Sequence, residues 1–329
     1  MVKPIRLTIA ISDLPQVNDL KSGVVPIEGV APEFISVSPQ IAAYRRMVRD
    51  VEFDVCELAP TTYLIARAYG APFIALPIFL TRRFHHRGLL VRPDSGIKAP
   101  KDLEDKKVGV RAYSVTTGVW TRGILADEYG LDDAKVTWVV DDEEHVTQLR
   151  LPENVVHAPA GTSLVSLMRD GEIQAAFDGN AGLGRTGAPT TEWDRKHARL
   201  PDYPELFPNA DELEAGWFRR TGIYPMHGTI VVKETLLREN PGLGLALFEA
   251  FAQAKANWLR RLRSGEANSS SDRGYRALST LVGDDPLPYG MQRSMPTIAA
   301  LEAIAFKQKL IPERMALERA WFDPEARIC

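Results

Sequence analysis

The chain reads as an α/β protein of two lobes, built from mixed, mostly parallel sheets with flanking helices and two crossing segments. Three observations predict this. Short apolar runs alternate with helical stretches from Arg6 to Ile78 and again from Lys107 to Phe177. A charged break, FLTRRFHHRG at 79–88, separates the two runs. Candidate crossing strands at 86–91 and 223–232 lead out of one lobe and back into it, which makes that lobe discontinuous. The expected division is 1–90 plus 228–329 for the first lobe and 91–227 for the second, with a ligand cleft between them. A length of 329 residues suits about two domains on a prior of ~150 residues each.

In chain order, Arg6–Ile11 is the first expected strand, with Ser12 and Asp13 at its carboxyl end, and Glu33–Val37 is the second. Pro39 opens a helix through Asp50. Phe53–Leu58 is a strand, Thr61–Tyr69 a helix and Phe73–Ile78 a strand. The second lobe begins with a turn and short helix at SGIKAPKDL, then a buried strand at 107–110 and a helix over 115–129 that ends at Gly130. Strands follow at 136–140, 155–158 and 175–177, with a helix at 162–169 opened by Thr162 as N-cap. Helices from Glu234 onward, the longest spanning 242–263, complete the chain, and NSSSD at 268–272 reads as a flexible turn.

The composition, 45% hydrophobic and 25% charged with a formal net charge of −3, gives no pull toward nucleic acid or an acidic membrane surface. Two cysteines, Cys56 in an apolar strand and Cys329 at the end, make no disulfide framework. The amino terminus has only a five-residue apolar run from Leu7 to Ile11, with no secretory leader, no lipobox cysteine and no run near ~18 apolar residues anywhere. With Met1 as the natural start, the expected location is the cytoplasm.

In α/β folds ligands sit at strand carboxyl ends and at the helix amino ends that follow them. That rule selects Ser12, Asp13, Glu57, Thr61, Thr62, Arg82, His85, His86, Arg111, Tyr113, Thr116, Thr117, Asp178 and His227. The turn Arg111–Ser114, placed before the 115–129 helix, is a candidate pocket for a small anion, with Thr116 and Thr117 at the helix start; Ser114 as a simple N-cap is the plainer alternative. Arg82, Arg83, His85 and His86 form the densest basic cluster and suit a carboxylate clamp, although Arg83 and His85 read better as a solvated turn. Glu57 ends an apolar strand and is either a carboxyl of raised pKa or a helix-capping group. The glycines at 182, 184 and 187 lack the strand and helix of a dinucleotide site, so 179–191 is expected to be a loop at the mouth of a cleft. No HxH, HExxH, CxxC or GxSxG pattern occurs; no metal site and no cofactor is called for, and a divalent ion is left open.

KKVGVRAYSVTTGVWTRGILADEYG, preceded by FDVCELAPTTYL and SGIKAPKDLEDKKVGV and followed by WFRRTGIYPMHG, resembles the 4,5-dihydroxyphthalate decarboxylase family. That family is a cytoplasmic offshoot of the type 2 periplasmic-binding-protein superfamily. The resemblance places Arg82 and His86 on family Arg and His positions, in a phrase like FPSRMFRH, and Glu57 on an acidic one. His227 stands one position before the family histidine of TGIFPIMH, and a step of one along a strand reverses side-chain direction unless a bulge restores it. Gly179 and Asn180 stand where the family has Pro-Arg, and Arg185 could substitute.

The resemblance implies a cofactor-independent decarboxylase of an ortho-dihydroxylated aromatic carboxylate. Arg82 and Arg111 are expected in the clamp, His86 or Glu57 in proton delivery, and His227 or Asp178 at the phenol. The expected partner is a small aromatic carboxylate, with neither nucleic acid nor membrane, and a homo-oligomer is compatible with the carboxyl-terminal helices. The rival readings are a solute-binding protein for such an acid and, behind it, a ligand-sensing or thiamine-precursor-related protein of the same superfamily.

Overall fold

The computed structural model describes residues 3–184, 202–324 and 326. They fall into two compact units. The first comprises the chain up to Arg83, Gly222–Ala299 and the segment from Met315 on; the second comprises Phe84–Thr221 and Ala300–Arg314. The strands are β1 (Ile5–Ala10), β2 (Val30–Phe34), β3 (Val55–Leu58), β4 (Phe73–Arg82), β5 (Leu89–Val91), β6 (Lys107–Gly109), β7 (Thr137–Val140), β8 (Val155–His157), β9 (Ala175–Phe177) and β10 (Met226–Lys233).

The first unit holds a sheet of order β2-β1-β3-β10-β4. β1 runs parallel to β2 and β3, and β10 enters antiparallel between β3 and β4. Alternation decides which residues are buried together: Leu7 and Ile9 from β1 with Ile11 just beyond it, Ile74, Leu76, Ile78 and Leu80 from β4, and Ile230 and Val232 from β10 form one apolar face. The 22-residue helix Leu243–Ser264 covers that face with Leu243, Leu247, Phe251 and Ala254. On the other face Trp321 meets Tyr63 and Phe79, with centroids at 5.8 and 5.6 Å.

β4 is longer than the sequence suggests. Its alternation continues through Arg82, and Phe79 and Leu80 are fully buried, so the charged stretch begins inside a core strand rather than after it. NSSSD is not a turn: Ser269 and Asp272 form a capping box that opens the helix Ser270–Val282.

The second unit holds a sheet of order β5-β9-β6-β7-β8, parallel except for β5 against β9. The helix Thr116–Tyr129 follows β6 and ends at Gly130, whose φ of 67° suits a residue without a Cβ. Ser163, not Thr162, caps the helix Leu164–Asp170, accepting from the Ser166 N–H at 3.2 Å. Ala300–Arg314 belongs here, whereas the sequence assigned all of 228–329 to the first lobe. The reason is packing: Ile304 fills the notch left by Gly123, and Gln308 accepts from the buried Arg122 and donates to the Val119 carbonyl.

Candidate functional site

In the first unit, topology brings a set of polar groups to one edge of the sheet. β1 and β3 end there, β4 ends there, and antiparallel β10 begins there, so Ser12, Glu57, Arg82, Arg83 and His227 share the edge where ligands bind in such sheets. Glu57 is 3% exposed. Its Oε2 accepts from the Ser12 N–H at 2.9 Å and its Oε1 from the Tyr44 hydroxyl at 3.1 Å. Burial raises the pKa of Glu57, and the Ser12 and Tyr44 hydrogen bonds offset that only in part. Gly228 gives the carboxyl its room: a Cβ there would lie 2.8 Å from Oε1.

The two adjacent arginines do opposite things. Arg82 is buried, and its guanidinium donates to the Tyr224 carbonyl at 2.7 Å, the Pro288 carbonyl at 3.1 Å and the Ser294 hydroxyl at 2.7 Å. Burial pushes its pKa down to about 10, so it remains a cation, held by protein oxygens. Arg83, which the sequence assigned to a solvated turn, is exposed and places Nη2 2.9 Å from His227 Nε2. Desolvation still lowers the pKa of Arg83, and it carries that of half-buried His227 well below the usual range, with Arg83 adding to the effect. Tyr275 lies near enough that Arg83 partly offsets the burial that pushes its phenol up to about 12.

The one-residue displacement of His227 meets a structural answer. The pairing of β10 with β4 shifts register between Met226 and Gly228, between Gly228 and Thr229, and between Thr229 and Ile230. This bulge surrounds His227 and breaks the strict alternation that would otherwise fix its direction.

In the second unit, Arg111 follows β6 and is 3% exposed. Its Nη1 bonds Asp142 Oδ2 at 2.6 Å and its Nε donates to the Asn180 carbonyl at 2.8 Å. The helix start offered to an external anion receives one of the chain's own carboxylates. Glu144 Oε1 accepts from the N–H of Tyr113 at 2.7 Å and of Ser114 at 3.3 Å, and the Ser114 hydroxyl donates to Oε2. Ser114 is therefore not the N-cap; Val115 takes that position with no side-chain bond, ahead of buried Thr116 and half-buried Thr117. The Tyr113 hydroxyl reaches Asp133 at 3.2 Å, and the Arg122 guanidinium lies 3.8 Å over its ring.

His86, 1% exposed, sits against Phe207 and Trp217, each 5.8 Å away by ring centroids. Burial and then Arg220 push its pKa down to about 4, so at neutral pH it is an uncharged imidazole with no cationic proton to deliver. His85 stacks on Trp120 at 6.5 Å. Asp178 is exposed and caps a short turn through the Gly179 N–H.

Asp13 is 84% exposed at its side chain and paired with Lys21, while Thr61 and Thr62 are buried in the first turn of the helix Pro60–Ala68. Residues 185–191, with Arg185 and Gly187, lie outside the described residues. Among the described residues no group of three or more His, Cys, Asp or Glu is placed to hold a metal ion, and no helix is long and apolar enough to cross a membrane. Tyr44, Tyr275 and Glu144 were absent from the sequence selection. Tyr44 stands mid-helix, Tyr275 in a helix read as following a turn, and Glu144 in an acidic loop that resembles ordinary surface.

No family model matches the sequence. A 4,5-dihydroxyphthalate decarboxylase of Comamonas testosteroni is 35% identical over 298 residues, covering 87% of this chain and 87% of that protein. A second, from Pseudomonas putida, is 33% identical over 185 residues, 54% of this chain and 71% of its own. Among solved structures, the periplasmic aliphatic sulphonate binding protein SsuA from Escherichia coli matches with a TM-score of 0.51 at 12% identity over 97% of each chain. That likeness is one of fold, and the fold is that of the periplasmic binding proteins. Identity of this level across most of both proteins decides the family: the chain belongs to the 4,5-dihydroxyphthalate decarboxylase family.

Proposed function

We propose that the protein is a carboxy-lyase that removes CO2 from an ortho-dihydroxylated aromatic carboxylate such as 4,5-dihydroxyphthalate. The observation that carries this reading is Glu57, a buried carboxyl of raised pKa at the ligand-binding edge of its sheet. Decarboxylation of an arene needs a proton on the ring carbon that bears the carboxylate. Glu57 supplies it in its protonated form, and the carbon–carbon bond then breaks, its electron pair restoring the aromatic ring as CO2 leaves. The carbon gains one proton and loses one CO2, so the step balances without a redox partner. A phenol para to that carbon feeds electron density into the ring, more strongly once its proton is lost.

A dicarboxylate substrate also needs a cation for its carboxyl groups. Arg83 is exposed at this edge beside His227, whereas Arg82 and Arg111 are buried among the protein's own oxygens. Arg82 serves Arg83 indirectly, fixing the end of β4 to residues 224, 288 and 294. His86 stays neutral near pH 7, which leaves proton delivery to Glu57.

The test is to incubate the purified protein with 4,5-dihydroxyphthalate, with and without chelator, and to follow CO2 and 3,4-dihydroxybenzoate. Turnover that persists with chelator supports the reading as stated. Tight binding of the acid without turnover would replace it with a solute-binding role.

A further inference from the structure

Resting on that reading of Glu57, we infer that the Tyr44 hydroxyl is a positioning group for the proton transfer: it leaves the transferable proton on Oε1 of Glu57 and donates to that oxygen as it becomes negative. The two contacts of the carboxyl divide its oxygens. A backbone N–H can only donate, so the 2.9 Å bond from Ser12 keeps Oε2 as an acceptor, the carbonyl oxygen of the neutral acid, and leaves the proton to Oε1. The Tyr44 hydroxyl lies 3.1 Å from Oε1. Once Oε1 has given up its proton the same contact becomes a hydrogen bond to an anion, about twice as strong as one between neutral groups, so it strengthens with the transfer.

The backbone is arranged for this contact. β1 and β3 pair through Ala10 and Cys56, which puts Glu57 one residue and Ser12 two residues past the last pair, at the same end of the sheet. The helix Gln40–Asp50 is moored to that end: Gln40 Nε2 donates to the Ala10 carbonyl at 3.2 Å, and Tyr44 stands one turn further along the same face, at Glu57. Gly228 on β10 brings no side chain against Oε1. Tyr44 keeps its own proton, because burial and then the Glu57 carboxylate push its pKa well above the usual range. Cys56, Tyr275, Tyr289 and Lys21 are the other electrostatic neighbours of Glu57, and they hold a constant charge around it. Burial keeps the thiol and the two phenols protonated, and Lys21 pairs with Asp13. His227, at the same edge beside the Arg83 cation, is neutral near pH 7.

Two changes at position 44 push in opposite directions. Tyr44→Phe removes the hydroxyl and keeps the ring, whereas 3-fluorotyrosine at position 44 keeps the hydroxyl and makes it a stronger donor. Each protein is titrated by infrared difference spectroscopy, in which the neutral Glu57 carboxyl is the C=O band that Glu57→Gln lacks, and is assayed for kcat and KM on 4,5-dihydroxyphthalate across pH. Expected for Tyr44→Phe is an upward move of about one to two pH units in both the infrared midpoint and the alkaline limb of kcat/KM, because the anion has lost a charge-assisted bond. A weaker acid also transfers its proton more slowly, so kcat on the acid plateau falls about three- to thirtyfold while KM changes less than about threefold. 3-Fluorotyrosine moves both midpoints down, by less than about one unit.

An infrared midpoint in Tyr44→Phe that stays within about 0.3 unit of the parent's would overturn the inference, as would a fall in kcat with neither midpoint moved, the mark of a structural loss. If Tyr44→Phe does not fold, the fluorinated protein decides alone, and a midpoint that stays or rises counts against the inference. A Glu57 midpoint that follows position 44 in a protein that never releases CO2 would refute the decarboxylase reading and leave the Tyr44 contact in place. Turnover by the parent, with a Glu57 midpoint indifferent to position 44, would refute the positioning role alone.

Discussion

Glu57→Gln separates chemistry from architecture, because the substitution keeps shape and nearly all hydrogen bonds. The carboxyl accepts at two points, from the Ser12 N–H at 2.9 Å and from the Tyr44 hydroxyl at 3.1 Å. A glutamine with its oxygen toward Ser12 presents its NH2 to Tyr44, whose hydroxyl can turn and accept. No cavity opens, and the one donor that loses its acceptor is the Tyr44 O–H, so the folding free energy should change by no more than about 1–3 kcal/mol. An amide has no acidic proton to give the ring, and loss of a general acid costs about 10²–10⁴ in rate, roughly 3–5 kcal/mol on the barrier.

The two quantities are read by urea denaturation and by CO2 release under saturating substrate. The pH dependence has a definite sign. Because burial raises the Glu57 pKa, the wild type binds an extra proton when folded, and that contribution to stability is lost as pH rises through the raised value. Glu57→Gln should therefore gain on the wild type in stability toward higher pH, while losing turnover throughout. A Glu57→Gln protein that keeps turnover within about threefold of the parent would refute the assignment of the proton donor.

Other perturbations reach different parts of the molecule. Gly228→Ala puts a Cβ 2.8 Å from Glu57 Oε1 and 3.1 Å from Thr81 Oγ1; it should turn the carboxyl off the Tyr44 bond and cut kcat by at least about tenfold, seen in steady-state assays. Arg111→Ala leaves the buried Asp142 without its cation and should cost about 3–5 kcal/mol in urea denaturation, while the double variant with Asp142→Ala loses clearly less than the sum of the single ones. Asp141, pushed up to about 6 by burial, supports folding below its unfolded value of 3.8 and loses that support as pH rises through 6; Asp141→Asn should gain up to about 3 kcal/mol on the wild type between pH 4 and 7, read from stability measured at each pH. Gly123→Ala drives a methyl to 2.5 Å from Ile304 and should lower stability by about 1–3 kcal/mol, with a matching drop in melting temperature.

Much of the fold was written in alternation and punctuation. The strands around Leu7, Val55, Ile74 and Ile230 follow from their apolar pattern, and the helix ending at Gly130 follows from its stop signal. What stayed hidden depended on partners remote in sequence. Phe79 to Arg82 look like surface because Arg82 is charged, and the carbonyls of 224 and 288 and the Ser294 hydroxyl make its burial tolerable. Ala300–Arg314 gives no local sign that Arg122 and Gly123 are its neighbours. The candidate site divides in the same way. Glu57 and His227 could be picked from strand ends, but the choice between Arg82 and Arg83 rests on where β4 stops, and the part played by Glu144 on a 30-residue separation from Ser114.

The irregular start of β10 has a consequence for how such an enzyme can diverge. From Ile230 to Val232 the strand is clamped by regular pairing on both sides and by the apolar core, so its sequence is constrained. Across 226–229 pairing with β4 slips at each step, and an added or deleted residue there can be absorbed locally, without turning the core half of the strand over. The chain thus carries a short adjustable span spliced to a fixed one. Relatives could exchange the group presented at that edge of the sheet by changing length in that span, leaving the regular pairing of the core half in place.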